Sequence, residues 1–129
     1  MTPLNFVSKL SLIDQEFKHA ANEVYKEWAD DPPVPVCILV GAMGDVIRDE
    51  LHRFDDKLLS RIFELIEDAL VQGDDHTKDA VATCLLENLQ NYASGGTFDF
   101  GKVSRFLGNK SRCFCKAWDK FSGIYTTGL

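Results

Sequence analysis

The chain has 129 residues, of which 45% are hydrophobic and 26% charged, a composition typical of one folded domain and unlike that of disordered or collagen-like chains. Its longest apolar run, residues 34–44, is interrupted by Pro35 and Gly41 and is shorter than the roughly 18 residues that span a bilayer. Polar residues also interrupt the N-terminal apolar stretch that a secretory signal would need, so we expect a cytosolic protein.

The formal net charge of −6 is distributed unevenly. Residues 1–96 carry 18 acidic and 8 basic side chains, whereas residues 97–129 carry 2 acidic and 6 basic ones. An acidic body repels nucleic acid and attracts basic partners, with its main effect on the rate of association. A net charge of this size also serves solubility alone, and both interpretations stay open.

The first predicted helix spans residues 13–28, where apolar residues recur three and four positions apart. Ser11 is its candidate N-cap, or the helix extends back to the Thr-Pro pair at 2–3, which is typical of a capped first turn. The Asp-Asp-Pro-Pro run at 30–33 ends it, because proline cannot continue the hydrogen-bond ladder.

The second predicted helix begins near Pro35 and ends near Arg53. Gly41 and Gly44 weaken it by up to about 1 kcal/mol each relative to alanine. We interpret the two glycines as positions where a neighbouring helix approaches closely. A phosphate-binding loop is the alternative, but no Gly-Lys-Ser/Thr motif follows them.

The third predicted helix follows the acidic pair at 55–56 and ends at Gly73, in the place of a left-handed C-terminal residue. The fourth begins at the acidic pair at 74–75 and ends at the glycine pair at 95–96. Because the connection between these two helices is so short, we expect them to be antiparallel neighbours.

The last third of the chain predicts a short helix over residues 100–107 and a final helix from about Lys110 to Phe121, capped by Asn109 and ended by Gly123. Within this final helix, Trp118 is the expected buried anchor. No segment alternates with a period of two residues. The expected fold is therefore all-α, with residues 1–129 forming one domain of five or six helices packed as antiparallel helical hairpins.

Four cysteines, Cys37, Cys84, Cys113 and Cys115, are expected to be buried or incidental thiols, because a cytosolic chain with a full-sized core has little need of disulfides. Cys113 and Cys115 lie two positions apart on one helix and should not bridge each other. The histidines are scattered singly, which disfavours a zinc site. We therefore expect no metal and no cofactor.

The sequence contains none of the common nucleotide-binding, zinc-protease or serine-hydrolase motifs, and we expect no enzymatic activity and no small-molecule substrate. The best candidate for an enzyme or metal site is the cluster Asp74, Asp75, His76 and Asp79, for which helix capping is the simpler interpretation. We expect neither nucleic acid nor membrane as a partner. The basic residues that would favour nucleic acid are Lys102, Arg105, Lys110, Arg112, Lys116 and Lys120.

A protein-binding surface is the remaining candidate. Acidic side chains recur on the polar faces of the second and third helices and in the loop between them, so they predict a negative surface across one helical hairpin. The alternative is a solvated face with local ion pairs such as Arg61 with Glu64. The candidate partner-binding residues are Asp45, Asp49, Asp55, Asp56, Glu64, Glu67 and Asp68.

Part of the chain also resembles a known family. The segments that carry the resemblance are residues 79–89 (DAVATCLLENL), residues 106–108 (FLG), residues 111–112 (SR) and residues 117–119 (AWD). Together they are similar to small acidic all-helical bacterial immunity proteins of polymorphic toxin systems, including contact-dependent growth inhibition. The similarity covers about residues 58–123, and Cys84 stands where that family usually has glycine.

The resemblance implies a compact protein that binds a cognate toxin domain, in a one-to-one complex, and neutralises it. A toxin that acts on nucleic acid, such as a nuclease, is commonly basic and would suit an acidic inhibitor. An adaptor or regulatory subunit of a bacterial complex, with the same surface and no toxin, is the alternative function. The family pattern implies no catalytic residues.

Overall fold

The computed structural model describes residues 1–129 and contains six helices and no strand, as the helical periodicity of the sequence predicts. The fifth of these helices is continuous but changes type twice along its length. None of the helices combines the length and the apolar character that crossing a membrane requires. In chain order the segments are α1 (Pro3–Ile13), α2 (Gln15–Glu27), α3 (Val36–Glu50), α4 (Asp56–Gln72), α5 (Asp75–Asp79), a π-helical segment (Ala80–Leu86), α6 (Glu87–Ser94) and α7 (Asn109–Ser122).

The N-terminal region contains two helices where one start near Ser11 was expected. The Thr2 hydroxyl accepts a hydrogen bond from the Asn5 N–H and the Asn5 side chain accepts one from the Thr2 N–H, which starts α1 at Pro3. Asp14 is extended and its carboxylate caps α2 through the Glu16 N–H at 3.1 Å. Ser11 lies inside α1 and donates to the Val7 carbonyl. The prediction of Ser11 as an N-cap was therefore wrong, because the break falls three residues later, whereas the alternative start at the Thr-Pro pair is confirmed.

Helix α3 packs most extensively on the π-helical segment, and its glycines face that segment as expected. A Cβ added at Gly41 would lie 3.5 Å from the Cys84 carbonyl oxygen, and one added at Gly44 would lie 3.5 Å from Leu85 Cγ. These are ordinary van der Waals distances, so the two backbones approach closely but leave room for a methyl group.

A disulfide joins Cys37, at the start of α3, to Cys84 in the π-helical segment, with their Cα atoms 5.4 Å apart. The expectation of four free thiols was therefore wrong, because it rested on the expected compartment, whereas the packing of α3 on the π-helical segment decides which sulfurs meet. Cys113 and Cys115 are free, as expected. Burial and the nearby Asp119 carboxylate raise the pKa of Cys115 to about 12, so its thiol stays protonated at neutral pH.

The connections of the C-terminal third differ from those expected. Residues 100–107 form two 3-10 turns, Phe100–Lys102 and Ser104–Phe106, where a short helix was predicted. Gly73 is extended, with φ −68° and ψ 157°, and so is not the left-handed residue that we predicted. Gly123 does adopt the left-handed conformation, at φ 76°, and ends α7 as predicted.

The core lies between α1, α2, α3, α4 and the π-helical segment, and it contains the fully buried rings of Phe6, Phe17 and Phe63. Helix α7 packs at its edge and buries only Ser111 and Cys115. Trp118 is half-buried and was therefore wrongly predicted as a buried anchor. The periodicity of α7 marked the correct face, but few elements are left to cover it at this end of the fold.

Candidate partner-binding surfaces

The acidic residues of α3 surround Arg48. Its guanidinium donates to Asp49 at 2.8 Å and lies 3.7 Å from Asp45. The Tyr92 hydroxyl donates a 2.6 Å hydrogen bond to Asp45, and the guanidinium lies over the Tyr92 ring. Burial and this hydrogen bond raise the pKa of Tyr92. The single positive charge of Arg48 therefore offsets one of these two carboxylates, and the cluster keeps one net negative charge.

The acidic pair at the start of α4 has a structural role. The Asp55 carboxylate accepts a hydrogen bond from the Leu58 N–H at 2.8 Å and caps α4, as the sequence indicated. Asp56 forms an exposed 2.6 Å ion pair with Arg105. The local ion pairs that were the alternative to a free acidic surface thus occur at several of these positions, although Arg61 forms none.

Glu67 caps α7 from a distance in the sequence. Its carboxylate accepts hydrogen bonds from the N–H groups of Lys110 and Ser111, both at 2.9 Å, and from the Ser111 hydroxyl at 2.8 Å. Gly108 permits this approach, because a Cβ there would collide with the Glu67 side chain. Burial acts to raise the pKa of Glu67, but the three hydrogen bonds outweigh it and leave the pKa below its usual value. The prediction of Asn109 as the cap was wrong.

Among the candidate acidic residues, Glu64 and Asp68 have the side chains that are most accessible to a partner. Both are exposed and neither forms an ion pair, although Glu64 accepts a 3.3 Å hydrogen bond from Ser60. With Phe63, Glu67, Phe106 and Gly108 they line a depression of about 250 Å³ between α4 and the residues before α7. This depression combines free carboxylates with apolar surface.

The seven candidate residues do not form one surface. Helix α3 packs on α2 and the π-helical segment, whereas α4 packs on α1 and α7, and α3 and α4 hardly touch. The expectation of a negative surface across one hairpin of these helices was therefore wrong. Asp45 and Asp49 belong to the surface beside α6, and Glu64, Glu67 and Asp68 to the surface beside α7.

The structure also shows the surroundings of the residues that favoured an enzyme or metal site and of those that favoured nucleic-acid binding. Asp74 caps α5 through the Thr77 N–H at 2.8 Å, and hydrogen bonds from Thr77 lower the pKa of Asp74. Of the C-terminal basic residues, Arg112 donates to the carbonyls of Ser104 and Gly128. Arg105 and Arg112 thus have partners within the protein, and they do not extend a free basic stripe.

An open apolar groove of about 590 Å³ is the largest concavity, and the sequence did not predict it. Its walls come from the start of α1, the end of α2, the proline-rich loop and the start of α3. Leu4, Tyr25 and Val36 are 59%, 44% and 39% exposed there. The lining residues are Thr2, Pro3, Leu4, Tyr25, Trp28, Ala29, Pro32, Pro33, Val34, Val36, Leu39 and His76.

A model of a domain family matches residues 7–123 of this chain. The chain belongs to the DUF7674 family. The family is described as a domain of unknown function. No curated protein and no solved structure matches the chain significantly.

The part of the chain that matches DUF7674 extends from within α1 to the end of α7 and includes all seven candidate acidic residues. It also includes most of the groove, but not Thr2, Pro3 and Leu4. Sequence reasoning missed the groove because it assigned Tyr25 and Trp28 to the buried stripe of α2. The only available signal was that both aromatic residues fall in the last turn before the prolines, where a helix leaves the core.

Proposed function

We propose that this DUF7674 protein is an immunity protein, without catalytic activity of its own, that binds a cognate toxin domain and neutralises it. The observation that carries the proposal is the depression beside α7, where Glu64 and Asp68 are exposed without ion-pair partners next to the half-buried ring of Phe106. The resemblance of about residues 58–123 to immunity proteins supports it further.

Free carboxylates beside apolar surface suit a basic protein partner. Unpaired charges speed the encounter with a partner of opposite charge, and desolvated aromatic surface supplies affinity. Asp45, Asp49 and Asp56 contribute less to such a field, because their pairing with Arg48 and Arg105 leaves the three carboxylates with one net negative charge. We propose a one-to-one complex that buries on the order of 1,600 Å² in total.

The test is co-expression with the toxin domain encoded beside the gene, scored by growth rescue, together with binding kinetics of the purified pair. Glu64→Lys combined with Asp68→Lys should slow association by about tenfold or more at low salt and weaken rescue. The matched control, Asp79→Lys with Glu87→Lys, makes the same change in net charge on α5 and α6, at two carboxylates that form no ion pair, and should leave both unchanged.

Two results would contradict the proposal. One is a neighbouring gene product whose toxicity is unchanged by the wild-type protein, which would favour the adaptor function. The other is a complex whose association rate responds equally to the test and control pairs, because the net charge and not the depression would then be responsible.

The proposal includes a cytosolic location, and the Cys37–Cys84 disulfide offers a way to test it. Cytosolic thiols are kept reduced, whereas disulfides persist in oxidising compartments. If the protein is cytosolic, alkylation in intact cells should modify Cys37, and the disulfide should form only after lysis in air. A bond that is already oxidised in living cells would contradict the cytosolic location.

A further inference from the structure

The apolar groove concentrates hydrophobic side chains that the fold leaves uncovered. Four of the eight large apolar side chains that are exposed lie in the groove or in the smaller depression that adjoins it, which shares Leu4 and Tyr25 as lining residues. Such a concentration of exposed apolar surface in a small domain marks an interaction site more often than isolated exposed residues do.

The shape and lining of the groove suit side chains of a protein partner. Trp28 and Tyr25 stand in one wall, and the prolines at 32–33 hold the loop that forms its rim. Aromatic residues are enriched in interface hot spots, where an apolar anchor of the partner enters a preformed pocket. The volume of about 590 Å³ is enough for several such anchors.

The charges along the rim determine the chemistry of the occupant. Glu27, Asp30 and Asp31 are exposed, form no ion pair and are sequence neighbours of the lining residues at 28–29 and 32–33, and Asp75 is exposed next to the lining residue His76. We call these four carboxylates the rim. Fewer basic groups lie nearby. Lys26 pairs with Glu23, and the N-terminal ammonium donates to the Gln72 carbonyl but keeps its positive charge, so the acidic groups are in excess. Lys18 lines only the adjoining depression.

We propose that the groove binds an apolar segment of a partner protein in which leucine- or phenylalanine-type side chains are flanked by lysine or arginine. The apolar side chains enter between Leu4, Trp28 and Val36, and the flanking cations lie along the carboxylates of the rim. Identification of that partner as the toxin domain rests on the proposed function, whereas the chemistry of the segment rests on the groove.

The same charges disfavour two other occupants. A second copy of the chain docked through a twofold axis would bring its own acidic rim against this one, since such an interface uses the same patch on both subunits. An anionic lipid surface would meet the same repulsion. A basic, apolar peptide segment is the occupant that gains from both the lining and the rim.

The first experiment uses synthetic peptides and the fluorescence of Trp28. In a Trp118→Phe background Trp28 is the only tryptophan, so a tryptophan-free peptide that enters the groove changes the emission directly. Three peptides of equal length are compared: leucine and phenylalanine flanked by lysine, the same apolar residues flanked by glutamate, and the lysine version with alanine at the apolar positions. Only the first should bind, at least about tenfold more tightly than the others.

Variants of the full chain locate the binding. Leu4→Gln alters an exposed wall residue, Asp30→Lys with Asp31→Lys reverses the rim, and each should weaken the lysine peptide by about tenfold. The matched control is Phe121→Gln, which removes an apolar side chain that is 82% exposed on α7. Equal binding of the lysine and glutamate peptides, or no effect of Leu4→Gln, would overturn the proposal. So would sedimentation that shows a dimer lost in Leu4→Gln, because the occupant would then be a second copy.

A second experiment separates this inference from the proposed function by measuring capture of the toxin domain encoded beside the gene. Weaker capture by the two groove variants, with unchanged capture by Phe121→Gln, supports the groove as part of the interface. Capture that the groove variants leave unchanged overturns the assignment of the groove to this partner and leaves the proposed function intact. No capture by any form, with the peptide result retained, overturns the proposed function alone.

Discussion

Helices α2 and α7 are alike in length, with 13 and 14 residues, and both are amphipathic, but the fold holds them differently. Helix α2 buries Phe17, Ala21 and Val24 and is capped by Asp14, the residue immediately before it. Helix α7 buries only Ser111 and Cys115, and its N-terminus is capped by Glu67 from another helix. Apolar packing and a local cap therefore fix α2, whereas distant polar contacts fix α7.

The C-terminal half of α7 shows the same dependence on distant partners. The Asp119 carboxylate accepts hydrogen bonds from the Thr126 N–H and hydroxyl and from the side chain of the fully buried Gln90. Arg112 donates to the carbonyl of Gly128. Compared with α2, helix α7 shows that a few charged and polar groups can position a weakly buried helix. The stability of such a helix then depends on these groups and on pH.

The largest expected effect compares the two helices directly. Phe17→Ala should lower the free energy of unfolding by about 3–5 kcal/mol, because the ring is fully buried and stacks on Phe54. Trp118→Ala should cost less than half as much, because that ring is only half-buried. Urea unfolding of both variants measures the difference. Equal losses would show that α7 packs as firmly as α2.

The disulfide gives the next largest effect. Cys37 and Cys84 are 47 positions apart, and closing a loop of that length in the unfolded chain is worth about 4 kcal/mol in the chain-entropy model. A reductant should lower the melting temperature of the oxidised wild-type protein and leave that of Cys37→Ser unchanged. Alkylation of all four thiols in the purified, unreduced and denatured protein would contradict the bond.

Glu67→Gln should lower the free energy of unfolding by about 2 kcal/mol at neutral pH, because an amide replaces a carboxylate that accepts from the start of α7. The lowered pKa of Glu67 stabilises the folded state above the usual carboxyl pKa of 4.5. That contribution is lost as the pH falls through the lower pKa of the folded state. The difference between wild type and Glu67→Gln should therefore shrink below pH 4.5.

The control for this prediction is Glu64→Gln, on the same helix but with no contact to α7. Its unfolding curves should stay close to those of the wild-type protein throughout the same pH range. A pH dependence as large as that of Glu67→Gln would assign the effect to general charge repulsion and not to the cap.

A smaller effect is expected at the end of the chain. Thr126→Val keeps the backbone hydrogen bond to Asp119 but removes the hydroxyl that donates to it at 2.6 Å, and should cost about 1–2 kcal/mol. Hydrogen exchange in the last turns of α7 should accelerate. Thr127→Val, at the exposed neighbouring position, is the control. Unchanged exchange in Thr126→Val would mean that α7 is held without this contact.

The smallest predicted effect is a gain in stability. Gly41→Ala should raise the free energy of unfolding by up to about 1 kcal/mol, because alanine favours the helix and the space beside the Cys84 carbonyl accommodates a methyl group. Gly123→Ala, at φ 76°, should be destabilising by comparison. Calorimetry of the two variants checks both signs. A loss of stability in Gly41→Ala would mean that α3 and the π-helical segment lie closer than described.

The sequence predicted the helices well but the surfaces poorly. Apolar periodicity marked the long helices, and the caps Thr2, Asp55 and Asp74 were recognisable because each bonds to an N–H three residues along the chain. The candidate acidic residues were identified by their place on polar helix faces. A carboxylate is free, like that of Asp68, or paired, like that of Asp49, depending on contacts between side chains that helical periodicity does not predict.

The amino-acid sequence by itself determined the helical class and the approximate helix limits, because these follow from interactions within about four residues. Gly41 and Gly44 indicated a close approach, but the packing of the helices decided that the π-helical segment is the neighbour. Tertiary structure decided the pairing of Cys37 with Cys84, the capping of α7 by Glu67 and the apolar groove beside Trp28. Each of these brings together groups from distant parts of the chain, and only the packing of the helices fixes the distances between them.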